Sequence, residues 1–155
     1  MSDTLVILPT YNEADNIRPM TERLLSMKPA LDVLVVDDNS PDGTGSIADD
    51  LAESNKRLHV LHRSEKDGLG RAYCAGFKWS LERTYEFVFE MDCDFSHDPD
   101  EIPQFIDKAN SENADLVIGS RYTEGIRVIN WPMSRLLLSI TAAKYVQIVT
   151  GMPFA

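Results

Sequence analysis

Asp92 and Asp94, one residue apart, are the side chains in this sequence best suited to chemistry. They follow Phe87-Val88-Phe89, with Met91 immediately before them. An apolar run ending in Asp-x-Asp sets two hard oxygen ligands at the rim of a sheet. Such ligands suit Mg²⁺ or Mn²⁺, ions that commonly clamp a diphosphate. The same carboxylates also read as a solvated strand end or as caps for the helix that Pro99 opens. Nearby, Ser96 either caps that helix or holds a metal-bound water, His97 reads as structural, and Cys93 as a small buried filler. Further polar groups stand at the ends of other apolar runs: Tyr11 and Glu13 after Leu5–Leu8, Asp37 and Asp38 after Val33–Val36, and Arg121 after Leu116–Ile118.

These runs must be the elements that position the polar groups. Thr4–Leu8 is a continuous stretch of strand formers ended by Pro9, as expected for a fully buried parallel strand. Asp32–Val36, Leu58–His62, Phe87–Met91 and Leu116–Ile118 read as four more. Between them lie helical patterns. One follows Asn16 as cap, with Ile17, Met20, Leu24 and Met27 on one face. Another is capped by Thr44 and turns Ile47, Ala48, Leu51 and Ala52 inward. Arg71–Leu81 carries Tyr73, Phe77 and Leu81 four apart, and the helix from Pro99 buries Ile102, Phe105, Ile106 and Ala109. The strands recur at close to the ~30 residues of a βαβ unit. That rhythm predicts an α/β fold with a mostly parallel, doubly wound sheet and helices on both faces. Ligands of such sheets bind beyond the carboxyl ends of the strands, where every polar group named above falls. The Asp37-Asp38 pair also has a plain reading as a turn cap. Gly68-Leu69-Gly70 is not a dinucleotide fingerprint, because Tyr73 takes the third glycine position; it reads as a loop near the ligand.

Composition narrows the partners. The chain has 155 residues, 43% hydrophobic and 26% charged, as expected for one globular domain. Its net charge of −10 argues against general nucleic-acid binding, which needs a positive footprint. Cys74 and Cys93 make no CxxC and no disulfide framework, which fits free thiols in a reducing cytosol. The first residues lead directly into strand sequence rather than a signal peptide. No run reaches the ~18 apolar residues of a membrane span. Ser134–Thr150 reads as a helix apolar on most sides, with Arg135 and Lys144 as its charges.

Five motifs in order carry a resemblance: Pro9-Thr10-Tyr11-Asn12-Glu13, Val35 to Thr44 (VVDDNSPDGT), Gly68 to Tyr73 (GLGRAY), Asp92 to Pro99 (DCDFSHDP) and Gly119-Ser120-Arg121-Tyr122. Together they resemble the dolichol-phosphate (polyprenol-phosphate) mannosyltransferases, inverting family-2 glycosyltransferases of the GT-A (nucleotide-diphospho-sugar transferase) fold. The resemblance runs from about Leu5 to Ala155. It implies that mannose passes from GDP-mannose to dolichyl or polyprenyl phosphate, assisted by Mg²⁺ or Mn²⁺. It implies a nucleotide-sugar site of Pro9, Tyr11, Glu13, Val36, Asp37, Asp38, Asp92, Cys93, Asp94 and Arg121. Asp92 and Asp94 would be catalytic and hold the metal, with Ser96 as a further metal contact. It implies one catalytic domain over residues 1–155, with a nucleotide-sugar-binding core over 1–122 and the start of an acceptor-side segment over 123–155. The family's C-terminal part would then be absent. No general base is needed, because a phosphate monoester is largely a dianion at neutral pH.

Rival readings stay open at this point. They are the same chemistry with a UDP-sugar, a metal-dependent phosphohydrolase with Asp92 as nucleophile, and a non-catalytic nucleotide-binding subunit. The lipid acceptor leads to an expectation of cytoplasmic, peripheral contact with the cytosolic face of a membrane, and of a possible homo-oligomer or membrane-anchoring partner. The helix from Ser134 to Thr150 would be the docking surface, or else a core or interface helix.

Overall fold

The computed structural model of the chain describes residues 2–119 and 132–151. Two compact units, Met1–Asp107 and Lys108–Ala155, make it up. In the first, strands and helices alternate: β1 (Thr4–Thr10), α1 (Ile17–Leu25), β2 (Asp32–Asp37), α2 (Thr44–Ser54), β3 (Leu58–His62), α3 (Leu69–Leu81) and β4 (Phe87–Glu90). A single 3-10 turn, Pro99–Glu101, then leads into α4 (Ile102–Glu112). The sheet order is β3-β2-β1-β4 and every pairing is parallel.

The sheet forms because its central strands are apolar on both faces. Leu5 to Leu8 and Val33 to Val36 are all fully buried. Side chains alternate along a strand, so each strand feeds two cores. Val6, Leu8, Val33 and Val35 pack with Ile17, Met20 and Leu24 of α1, Ala48 of α2 and Ile102 of α4. Leu5, Ile7, Leu34 and Val36 pack on the other face with Ala72 and Tyr73 of α3. Each fully buried Val, Leu or Ile contributes about 1.5–3 kcal/mol. The predicted doubly wound α/β architecture is what the first unit adopts.

Local expectations differ in four places. β1 does not stop before Pro9 but continues to Thr10, with Pro9 opposite Val36 of β2. The Ile7 carbonyl accepts from the Met91 amide, so Pro9, two residues on, turns its missing N–H toward the same side, where the β4 ladder has ended. On α3 the inward face is Ala72, Tyr73, Gly76 and Ser80, whereas Phe77 and Leu81 are exposed. A Cβ on Gly76 would meet Ile7 Cγ2 at 2.7 Å, so this helix lies too close to the sheet for large residues. Asn16 is the N-cap residue of α1 as read, without a side-chain cap bond, but the cap of α2 differs: Gly43, at φ 90°, takes that position and Thr44 is the first residue of the helix. Leu116–Ile118 forms no strand, and Leu116 and Ile118 are exposed. Strand preference is a property of a packed, paired surface, and these residues have no ladder partner among the described residues.

In the second unit, α5 (Met133–Thr150) ends at Gly151 in the left-handed region, φ 70°. Met133, Leu138, Tyr145, Ile148 and Val149 are exposed along it. Among the described residues no helix is long and apolar enough to cross a membrane.

Candidate active site

Three loops leave the carboxyl edge of the sheet side by side, after β1, β2 and β4. β1 is central, so the β2 and β4 loops flank it at two strand spacings, roughly 10 Å apart. Each loop turns on one non-glycine residue in the left-handed region: Asn12 at φ 62°, Asn39 at 57° and Phe95 at 59°. Asn tolerates that conformation; Phe does so rarely, and such outliers gather at functional sites.

The first two loops are stitched together. The amide of Asn12 donates to Ser40 Oγ (3.1 Å), that of Glu13 to Thr44 Oγ1 (2.9 Å) and that of Ala14 to Asp42 Oδ2 (3.0 Å). Thr44 Oγ1 donates in turn to Asp42 Oδ1 at 2.6 Å. That bond holds the Asp42 carboxyl below its ordinary value. Glu13 also accepts from Asn16 Nδ2 at 2.7 Å. Tyr11 is half-buried, and Lys66 Nζ lies 3.9 Å from its ring centroid in a cation–π contact.

Asp37 and Asp38 have different situations. Asp37 Oδ1 accepts from Thr10 Oγ1 (3.0 Å) and Ser40 Oγ (2.6 Å), and Oδ2 from the Ser40 amide (3.1 Å). It is 2% exposed, and both its oxygens are engaged in tying the ends of β1 and β2 to the turn. Asp38 is equally buried, but its Oδ1 accepts from Arg63 Nη1 at 2.7 Å. Val36 is wholly within the core, and Pro9 is half-buried in the strand.

At the β4 loop, Asp92 is half-buried and Asp94 exposed. Tyr73 Oη donates to Asp92 Oδ1 at 3.2 Å, and the Asp92 amide donates to His97 Nδ1 at 3.2 Å. The Ser96 amide donates to Asp94 Oδ1 at 2.9 Å. Hydrogen bonding from Ser96 holds the Asp94 carboxyl below its ordinary value, so it is an acceptor-only anion at neutral pH. The helix beyond is capped by Asp98, which accepts from the Asp100 amide, so neither Ser96 nor the Asp-x-Asp pair is the cap. Burial pushes the Cys93 thiol up to about 12, helped by the charges of Glu13, Asp94 and Asp92. Cys93 is therefore a core residue, and its surroundings place Glu13 within electrostatic reach of the β4 loop. Arg121 lies outside the described residues.

The edge thus brings together Tyr11, Glu13, Asp38, Asp92 and Asp94. Arg63 was not singled out from the sequence. Tyr73 reads as a helix-face residue within the GLGRAY motif and the Ser40-Asp42-Thr44 stretch as turn and cap chemistry within the second motif, but neither reading assigns the hydrogen bonds made at the site. A recess of about 750 Å³ at the opposite edge is bordered by Asp3, Thr4, Asp32, Arg57 and Phe87 and by none of the predicted site residues. Among the described residues no three His, Cys, Asp or Glu side chains gather into a metal cage. The donor set still fits Mg²⁺ or Mn²⁺, which are commonly held by one or two carboxylates and completed by substrate phosphates and water.

Known proteins resemble the chain along most of its length. Residues 5–153 match the Glycosyl transferase family 2 profile. The chain is 49% identical over 148 residues to an undecaprenyl-phosphate mannosyltransferase of Micrococcus luteus, covering 96% of this chain and 60% of that protein. It is 50% identical over 149 residues to a polyprenol monophosphomannose synthase of Mycolicibacterium smegmatis, covering 96% and 56%. A dolichol-phosphate mannosyltransferase of Pyrococcus furiosus is 39% identical over 136 residues, covering 86% and 37%. The chain therefore spans well under two thirds of the length of these relatives. A mannosyltransferase from Pyrobaculum calidifontis, solved in complex with GDP-Man and Mn²⁺, superposes with a TM-score of 0.53 at 31% identity, over 59% of this chain and 27% of that one.

Proposed function

The chain belongs to glycosyl transferase family 2, and from that premise we propose that it transfers mannose from GDP-mannose to a polyprenyl or dolichyl phosphate. One observation carries the reading. The loops after β1, β2 and β4 share one edge, where Asp38 and the Asp92-Cys93-Asp94 turn stand on either side of Tyr11 and Glu13. The relatives' names supply the sugar and the class of acceptor, and the Pyrobaculum enzyme supplies the donor and the ion.

In this reading Asp94, exposed and ionised, and the outer oxygen of Asp92 hold Mg²⁺ or Mn²⁺ on the donor diphosphate, with Ser96 beside them. The ion supplies charge stabilisation as the nucleoside diphosphate leaves. The protein's own residues do the rest. Pro9, Tyr11, Glu13, Val36 and Asp38 shape the nucleoside side of the site. Arg63 holds Asp38 in place. Asp37 fixes the rim on which they sit, and Arg121 approaches the donor. The acceptor phosphate arrives as a nucleophile already deprotonated, so none of these residues acts as a base. A polyprenyl acceptor places the enzyme at a membrane surface, and the apolar residues exposed on α5 suit peripheral contact on the cytosolic side. The nucleotide-sugar core is residues 1–122, and 123–155 begin the acceptor side.

The test is transfer of labelled mannose from GDP-mannose to a short-chain polyprenyl phosphate, with and without Mn²⁺. A mannolipid formed only with metal is expected. Tighter binding of UDP than of GDP, or phosphate release from a monoester that Asp92→Asn abolishes, would overturn the reading.

A further inference from the structure

Tyr73 is the buried aromatic residue on the sheet-facing side of α3, where Trp79, partly buried, packs against the same cluster. Tyr73 packs among Leu5, Ile7, Leu34, Val36 and Ala72. The helix that carries it approaches so closely that Gly76 has no room for a Cβ against Ile7. Only the hydroxyl emerges from this packing, at the carboxyl edge, where it donates to Asp92 Oδ1 at 3.2 Å. The main chain of Asp92 is tied independently, its amide donating to His97 Nδ1 at 3.2 Å. Asp92 Oδ2 has no hydrogen-bond partner among the described residues. The two bonds fix both the backbone and one carboxylate oxygen, and leave the second oxygen without a hydrogen bond to any described residue.

We infer that Tyr73 is a positioning residue of the sugar-transfer centre, whose hydroxyl fixes Asp92 Oδ1 so that Oδ2 is presented in one orientation to a divalent cation. The inference rests on the proposed function above. Losing a group that orients a metal ligand from behind typically costs about 10–100-fold in affinity for the ion. The role is distinct from that of Asp94, whose exposed carboxylate is set by its own loop through Ser96. His97 completes the clasp from the main-chain side. Because its Nδ1 accepts, the neutral ring carries its proton on Nε2.

The experiment measures Mn²⁺ binding to the full chain in the presence of saturating GDP, by electron paramagnetic resonance of free Mn²⁺, with GDP binding in EDTA and thermal melting alongside. Tyr73→Phe keeps the packed ring and removes only the hydroxyl. It is expected to weaken Mn²⁺ about tenfold, leaving metal-free GDP binding and the melting curve nearly unchanged. Asp92→Asn is the second variant. It removes the carboxylate's charge while keeping an oxygen for Tyr73 to bond, so it should lose Mn²⁺ with the fold intact even if Tyr73→Phe does not fold. In a double mutant the two losses should not add. Parent-like Mn²⁺ affinity in Tyr73→Phe or fully additive losses would each overturn the inference while leaving the sugar-transfer reading standing; parent-like affinity in Asp92→Asn would overturn the inference together with the metal role given to Asp92. A parent chain that binds no Mn²⁺ with GDP would overturn that reading and this inference with it.

Discussion

Asp38 is held at the rim by its ion pair with Arg63, the two side chains 7% and 16% exposed respectively. Removing one member of so sheltered a pair leaves the other unmatched. Arg63→Ala should therefore cost about 3 kcal/mol of stability, read as a lowered urea midpoint, and weaken GDP binding as Asp38 loses its partner. Asp94 is different: it is exposed and bonded only to its own loop, so Asp94→Asn should leave the melting temperature alone. Mannose transfer should nevertheless fall at least about 100-fold, in a radiolabel assay, if it holds the ion. Asp42 supports the first loop through Thr44 and the Ala14 amide. Its folded pKa lies below its ordinary 3.8. Its contribution is therefore complete above that value and is lost as pH falls through the folded pKa. The stability gap between the parent and Asp42→Asn should close below about pH 4 in urea titrations.

Helix α3 is seated by absence of side chain rather than by apolar bulk. Gly76→Ala would drive a methyl group into Ile7, and should cost about 1–3 kcal/mol in denaturant unfolding. Lys78→Ala, on the exposed side of the same helix, should change stability by less than about 0.5 kcal/mol. The same helix marks where the sequence stopped being readable. Continuous runs such as Leu5–Leu8 and Val33–Val36 can satisfy their apolar side chains only between two layers, so the strands and their order of appearance were plain. The four-residue spacing of Tyr73, Phe77 and Leu81 pointed to a face of which only Tyr73 is buried, beside the small residues Ala72, Gly76 and Ser80, because the close approach of helix to sheet at Ile7 selects small side chains there. Leu116–Ile118 has strand composition but no ladder, and pairing is not a local property. At the rim, Asp92 and Asp94 stood out because the run before them was apolar. The division between Asp37, bound into the turn, and Asp38, paired with Arg63, was invisible because alternation alone does not say which oxygen meets which donor.

Taken as a whole, the molecule repels what it is proposed to bind. Its net charge is −10, and a nucleoside diphosphate is an anion. Without metal, raising the ionic strength from about 0.01 to 0.15 M shortens the screening length from about 30 to 8 Å and should strengthen GDP binding in calorimetry; with Mn²⁺ the salt dependence should reverse. The stitched first loop sharpens this. Glycine-rich phosphate cradles work by aiming bare main-chain amides at the anion. Here the amides of residues 12 to 14 are already bonded to Ser40, Thr44 and Asp42 and point inward. That turn is thus no anion nest, and the lip beyond it is lined by carboxylates. Under the proposed function the donor's charge is then met chiefly by a bound cation rather than by this turn, so affinity for GDP should rise when Mn²⁺ is added.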